Sequence, residues 1–174
     1  MGLRLLVFLL LLGWGSAVLA QRGSFMSVQE FREMAFGAPA PAWQTLWVGK
    51  RERARIESIL GHSFPALRVR YLGVGSRTAW VFEEIGKELP ITLGVVVDNG
   101  SVQSTVVLEY RESRGGEIRH PFFSRQFLGA RLKADEQLEL DREIDGITGA
   151  TLSVRAMQNV VRLALYCHQL TPFS

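Results

Sequence analysis

Near its C-terminus the chain reads Asp145-Gly146-Ile147-Thr148-Gly149-Ala150-Thr151 and then enters a helical pattern. Asp145-Gly146 is turn chemistry. Thr148 suits a helix N-cap. Gly149 and Ala150 are the smallest residues available, so the backbone there can approach another group closely. Thr151 is then expected in the first helical turn. Its side chain leans back toward the N-terminus, beside amide hydrogens that lack intrahelical partners. Such a place binds phosphate. The plain alternative is a glycine-containing cap with no ligand, and the residues by themselves leave both readings open.

Little else in the sequence offers chemistry. The single cysteine, Cys167, excludes an intramolecular disulfide, and no C-x-x-C-H is present to attach a c-type haem. Cys167 lies in an apolar stretch and reads as a buried small hydrophobe. Three histidines, His62, His120 and His168, show no metal-ligand spacing. His168 falls on the apolar face of the last helix and reads as structural. Gly73-Val74-Gly75 is too short for a dinucleotide loop. A net charge of +3, spread without long basic runs, argues against nucleic acid. No Cys–His pair or carboxylate cluster marks a catalytic residue.

The elements that must position Thr151 follow from periodicity. Val154, Met157, Val161, Ala164, Leu165 and His168 recur at three- and four-residue steps, which predicts an amphipathic helix of about five turns. Upstream, Leu67–Leu72 alternates apolar and polar residues, as a strand does. Thr78–Ile85 is a second strand, with Trp80 and Phe82 on one face. Ile91–Val97 and Val102–Tyr110 flank Asn99-Gly100, a strong hairpin signal. At least four antiparallel strands are expected. Ser27 with Glu30 predicts a capping box and a helix to about Phe36, broken by Ala38-Pro39-Ala40-Pro41. Trp43, Leu46 and Trp47 have helical spacing, and Lys50–Leu60 reads as a surface helix closed by Gly61. Glu112–Glu117 is a loop. Pro121–Leu128 predicts a short helix packed on the sheet, and Asp135–Asp145 a short strand or turn. Helices at both ends of a hairpin-linked antiparallel sheet define an α+β fold.

The segment at 145–151 resembles the flavinylation motif of the FMN-binding domain family. That pattern is Asp, two variable residues, Ser or Thr, Gly, Ala, then Thr or Ser; Asp145, Thr148, Gly149, Ala150 and Thr151 match it. The family includes flavin-carrying subunits of the sodium-pumping NADH:quinone oxidoreductase and of its ferredoxin-linked relative. The resemblance implies that Thr151 is joined to the FMN phosphate as a phosphoester. A Mg-dependent flavin transferase makes that bond from FAD. Asp145 is then expected to bind loop amides or to assist metal placement during transfer. A looser resemblance runs from about Ala79 to Val161. The family's Gly-containing loop, often Glu-Thr-Pro-Gly-x-Gly, corresponds to Glu112-Ser113-Arg114-Gly115-Gly116, with Arg114 in place of Pro. By this resemblance Glu112, Gly115 and Gly116 lie against the flavin. The Gln-Phe-x-Gly pattern corresponds to Gln126-Phe127-Leu128-Gly129, although Phe123 and Phe127 read as core. Arg114, Arg119 and Arg125 fall near the proposed ring, or are simply solvated.

The first twenty residues have another purpose. Arg4, an apolar run over Leu5–Leu12 and a small-residue end at Ala20 form a secretory signal peptide. Its apolar stretch is short for a membrane span, although an uncleaved anchor is the alternative. The expected organisation is a signal peptide over 1–20, an N-terminal helical region over 21–65 and an FMN-binding domain over 66–174. The expected function is extracytoplasmic electron transfer, most simply periplasmic and close to a membrane. The expected partners are a flavin transferase and a quinone-linked or haem-containing membrane redox protein. The reading favours a carrier over an enzyme. Its rivals are a flavin-dependent reductase of a small acceptor and a non-redox interaction module whose Thr-Gly-Ala-Thr turn is purely structural.

Overall fold

In a computed structural model, which describes residues 23–134 and 138–174, the strand patterns pair into one open sheet. The apolar segment 1–20 and part of the acidic stretch after 134 lie outside the described residues. Six strands line up in the order β1 (Gly23–Ser24), β6 (Ser101–Tyr110), β5 (Pro90–Asp98), β4 (Arg77–Ile85), β3 (Arg68–Val74) and β2 (Gln44–Trp47). Every neighbouring pair is antiparallel. From β2 to β6 the sheet is a meander, so each strand lies beside its successor. The expected hairpin forms: Asn99 and Gly100 both take positive φ, 48° and 68°, which matches the twist of the strands they join.

Each face of the sheet is covered. The helix α4 (Thr151–Gln169) lies across β4 and β5, and α2 (Lys50–Leu60) packs beside it. Together they bury Trp80, Leu93, Val95 and Val97 under Val154, Met157, Val161 and Ile56. On the other face α1 (Val28–Phe36) sets Phe31 and Ala35 against Leu72, Ala79, Val96 and Leu108. Because both faces are covered, the central strand β5 is apolar almost throughout rather than alternating.

The capping box at α1 is present with both of its bonds. Ser27 Oγ accepts from the Glu30 amide at 3.1 Å, and the Glu30 carboxylate accepts from the Ser27 amide at 2.7 Å. Gly61 closes α2 in the left-handed conformation, as its position predicts. Trp43–Trp47 departs from its helical spacing: Gln44–Trp47 is extended and pairs with Arg68–Tyr71 of β3. Pairing with an existing sheet edge outweighs a four-residue local pattern. The stretch 21–65 therefore contributes strands at both edges of the sheet as well as two helices. The expected helix over Pro121–Leu128 forms as two short pieces, α3 (Pro121–Ser124) and a 3-10 turn at Arg125–Phe127.

Candidate functional site

Ile147 to Ala150 closes a tight turn, with the Ala150 amide donating to the Ile147 carbonyl at 2.9 Å. Gly149 holds the third position of that turn at φ +82°, where other residues are strained. The helix α4 starts immediately after it. The sequence places the N-cap at Thr148, but the structure places it at Ala150, whose side chain cannot cap. Thr148 lies exposed in the turn, two residues too early to reach the first helical amides. The consequence is a long helix whose N-terminus no side chain closes. Thr151 is its first residue and is exposed, as the motif requires.

This N-terminus opens on a cleft of about 620 Å³ with three walls. One is the helix start itself, residues 149–153. The second is the loop after β6, with Glu112, Ser113 and Arg114. The third is the turn between β4 and β5, with Lys87 and Glu88. Sheet register brings the last two together: Ile85 pairs with Pro90, and Ile91 pairs with Tyr110.

The loop after β6 is fastened to α4. Tyr110 Oη donates to the Arg114 carbonyl and lies 2.9 Å from Ser153 Oγ. Gly115 fits into this junction at φ +88°; a Cβ there would stand 2.5 Å from Ser153 Oγ and 2.8 Å from Tyr110 Oη. Burial raises the Tyr110 phenol above its ordinary value, with Glu112 and Glu117 adding to the effect and Ser153 opposing it. Gly116 is buried against the Tyr110 ring and opens a short 3-10 turn. Gly115 and Gly116 thus shape the wall of the cleft; neither lines its surface.

Glu112 borders the cleft but faces its own chain. Oε1 accepts from the amides of Lys87, Glu88 and Leu89 at 2.6, 2.6 and 2.8 Å. Burial raises this carboxyl, but the three amides outweigh that effect and hold it below the ordinary carboxylate value. Glu112 is therefore a charged anchor for the β4–β5 turn.

Asp145 lies outside the cleft lining and is exposed. Its amide donates to Gln126 Oε1 at 2.7 Å, and Gln126 Nε2 donates to its carbonyl at 3.5 Å. Asp145 is thus held in place through its backbone. Gln126 fixes the approach to the 147–150 turn. Phe123 and Phe127 are fully buried and meet edge to face at 5.6 Å, which makes them core residues. Of the three arginines, Arg114 alone lines the cleft; Arg119 stacks over Phe25 at 4.8 Å. A second hollow of about 680 Å³ lies on another side of α4. There Arg162 is already held by Glu139 at 2.7 Å, Asn159 and the Ile59 carbonyl. Among the described residues no group of His, Cys, Asp or Glu gathers to hold a metal ion.

Residues 86–166 match the model of the FMN-binding domain. The match supports an FMN-binding domain over this span, which holds all three walls of the cleft. No curated protein matches the chain. The site fits the cofactor: no side chain caps the N-terminus of α4, which leaves it open to a phosphate, and Thr151 is exposed there. Sequence reading missed Lys87, Glu88, Tyr110 and Ser153. None belongs to a motif, and only the strand register reveals that the β4–β5 turn reaches the helix.

Proposed function

We propose that this chain is an extracytoplasmic electron carrier whose FMN is joined through its phosphate to Thr151. The observation that carries this reading is an exposed threonine at the first position of an uncapped 19-residue helix, on a cleft that lies inside the FMN-binding match. When bound, FMN accepts and returns electrons one or two at a time.

The chain's own residues supply the rest. The first-turn amides of α4 stabilise phosphate charge by about 0.5–1 kcal/mol. That is too little to retain a flavin in a compartment without an FMN supply, so a covalent bond has an evident use. The left-handed turn at Gly149 exposes the Thr151 hydroxyl to a transferase. Ala150, buried behind it, leaves no side chain in the way. The Tyr110–Ser153 junction holds the loop at 112–116 against the helix, so the cleft has a fixed width. The start of the chain, MGLRLLVFLL, supports export. A flavin transferase and a quinone-linked or haem-containing membrane donor are the partners this reading requires.

The test is intact mass of the protein co-produced with a flavin transferase, beside Thr151→Ala. The expected result is a gain of one FMN less water in the wild type and none in the variant. No gain in either would remove the covalent cofactor and favour a structural turn on an interaction module.

A further inference from the structure

The turn between β4 and β5 is the wall of the cleft that the threonine motif does not explain. It is held to one shape from within: a single carboxylate oxygen of Glu112, a residue only 5% exposed, gathers three consecutive amides. Gly86 keeps the space for it, since a Cβ there would stand 3.1 Å from Glu112 Oε1. Three converging N–H groups leave the backbone at 87–89 little freedom to drift.

Lys87 is what the turn presents to the cleft. Its ammonium lies 3.4 Å from Glu88, and both side chains are more than 70% exposed. So open a pair contributes little, which leaves the Lys87 charge available to a ligand. Arg114 and the N-terminus of α4 line the same cleft. Lys87, Arg114 and the helix N-terminus thus bring positive ends to the cleft, Glu88 stands beside Lys87, and the Glu112 carboxylate is turned into the β4–β5 turn.

We propose that Lys87 is a flavin-contact residue, kept at the mouth of the cleft by Glu112 as its positioning residue, and that its charge raises the midpoint potential of the flavin. The inference rests on the flavin reading above. Two electrons from the redox partner and one proton from solvent leave one added negative charge in the cleft. A fixed cation there favours the reduced form. Glu112, which the family resemblance sets against the flavin, acts through the turn instead.

The test compares flavin-loaded wild type with Lys87→Gln, Lys87→Arg, Glu112→Gln and the double variant Lys87→Gln/Glu112→Gln. Mass, melting temperature and an anaerobic redox titration at low and high salt are recorded for each. Lys87→Gln is expected to carry flavin and to melt close to the wild type. Its midpoint potential falls, and the fall shrinks as salt is raised. Lys87→Arg restores the potential. In flavin-free Glu112→Gln the amides at 87–89 exchange faster, and in that background Lys87→Gln changes the potential less, as a positioning role requires. If Glu112→Gln does not fold, the Lys87 variants decide the matter alone. Full loading with an unchanged potential in Lys87→Gln overturns the inference and leaves the flavin reading standing. No flavin on any of these proteins overturns both.

Discussion

Gly115 and Gly149 share a left-handed backbone but are constrained by different things. At Gly149 nothing lies within 4 Å of a built Cβ, so Gly149→Ala meets only the backbone penalty of about 1–2 kcal/mol. At Gly115 the same penalty is joined by a Cβ driven into Ser153 Oγ and the Tyr110 hydroxyl. The loop must then lift from α4, and the expected loss is about 2–4 kcal/mol. Urea unfolding of the two variants should separate them in that order. Gly115→Ala should also load flavin less well, because the wall of the cleft moves. Equal losses would show that the junction tolerates the methyl group and that the wall is not fixed by it. The place of Thr151 in the first turn of α4 was legible at this scale because a motif and a helical period converge on it. Thr148 was misread as the cap because the sequence does not reveal that a left-handed Gly149 postpones the helix by two residues.

Among the elements, α4 carries a buried titratable group. His168 is fully buried, with Nδ1 2.8 Å from Thr78 Oγ1, and Thr78 also accepts from Trp80 Nε1 at 2.8 Å. The other ring nitrogen, Nε2, is buried with no hydrogen-bond partner. Burial therefore lowers this histidine below its ordinary value of 6.5, with Asp98 opposing weakly. A folded-state value below the unfolded one means that the unfolded chain takes up the proton first. Stability is full above about pH 7 and is lost as pH falls through 6.5 toward the lower folded value. His62 works the other way. Its Nδ1 meets the Ser63 carbonyl and its Nε2 meets Glu84 at 3.1 Å, so its value is raised and its contribution is greatest at low pH. His62→Gln removes that opposition. The urea midpoint of His62→Gln should then fall more steeply between pH 7.5 and pH 5.5 than that of the wild type; an identical slope would mean that protonated His62 gains nothing from Ser63 and Glu84 in the folded state. The period of α4 and the Asn99-Gly100 hairpin were legible because both are local signals. The strand β2 was not: its four residues carry no alternation strong enough to compete with tryptophans spaced like a helix. The two residues of β1 carry no local signal at all, and only β6 makes them a strand.

At the scale of the whole molecule, the span that matches the FMN-binding domain is not a unit that could stand alone. Residues 86–166 hold only β5 and β6 of the six strands. The stretch before residue 66, separable in an organisation read from sequence, is interleaved with the rest. Ile56, Ile59 and Leu60 of α2 are buried in the same core as Val160 and Leu163 of α4. Asn159 donates to the Leu60 carbonyl at 3.2 Å, and Arg162 to the Ile59 carbonyl at 3.0 Å. Phe31 of α1 is fully buried on the opposite face, and β2 covers the outer edge of β3. Cutting at 65/66 therefore strips α1 from one face and α2 from beside α4 on the other, and leaves β3 and β6 as bare edges, which invites aggregation. Residues 66–174 produced alone should be insoluble or lack a cooperative thermal transition, and should take no flavin from a transferase. Residues 21–174 should unfold in one transition. Thr151 is present in both proteins, so a difference in loading would locate the requirement in the sheet and helix α2 that hold its helix, rather than in the motif. A folded, flavin-loaded fragment would instead make the N-terminal layer an attachment to an independent domain.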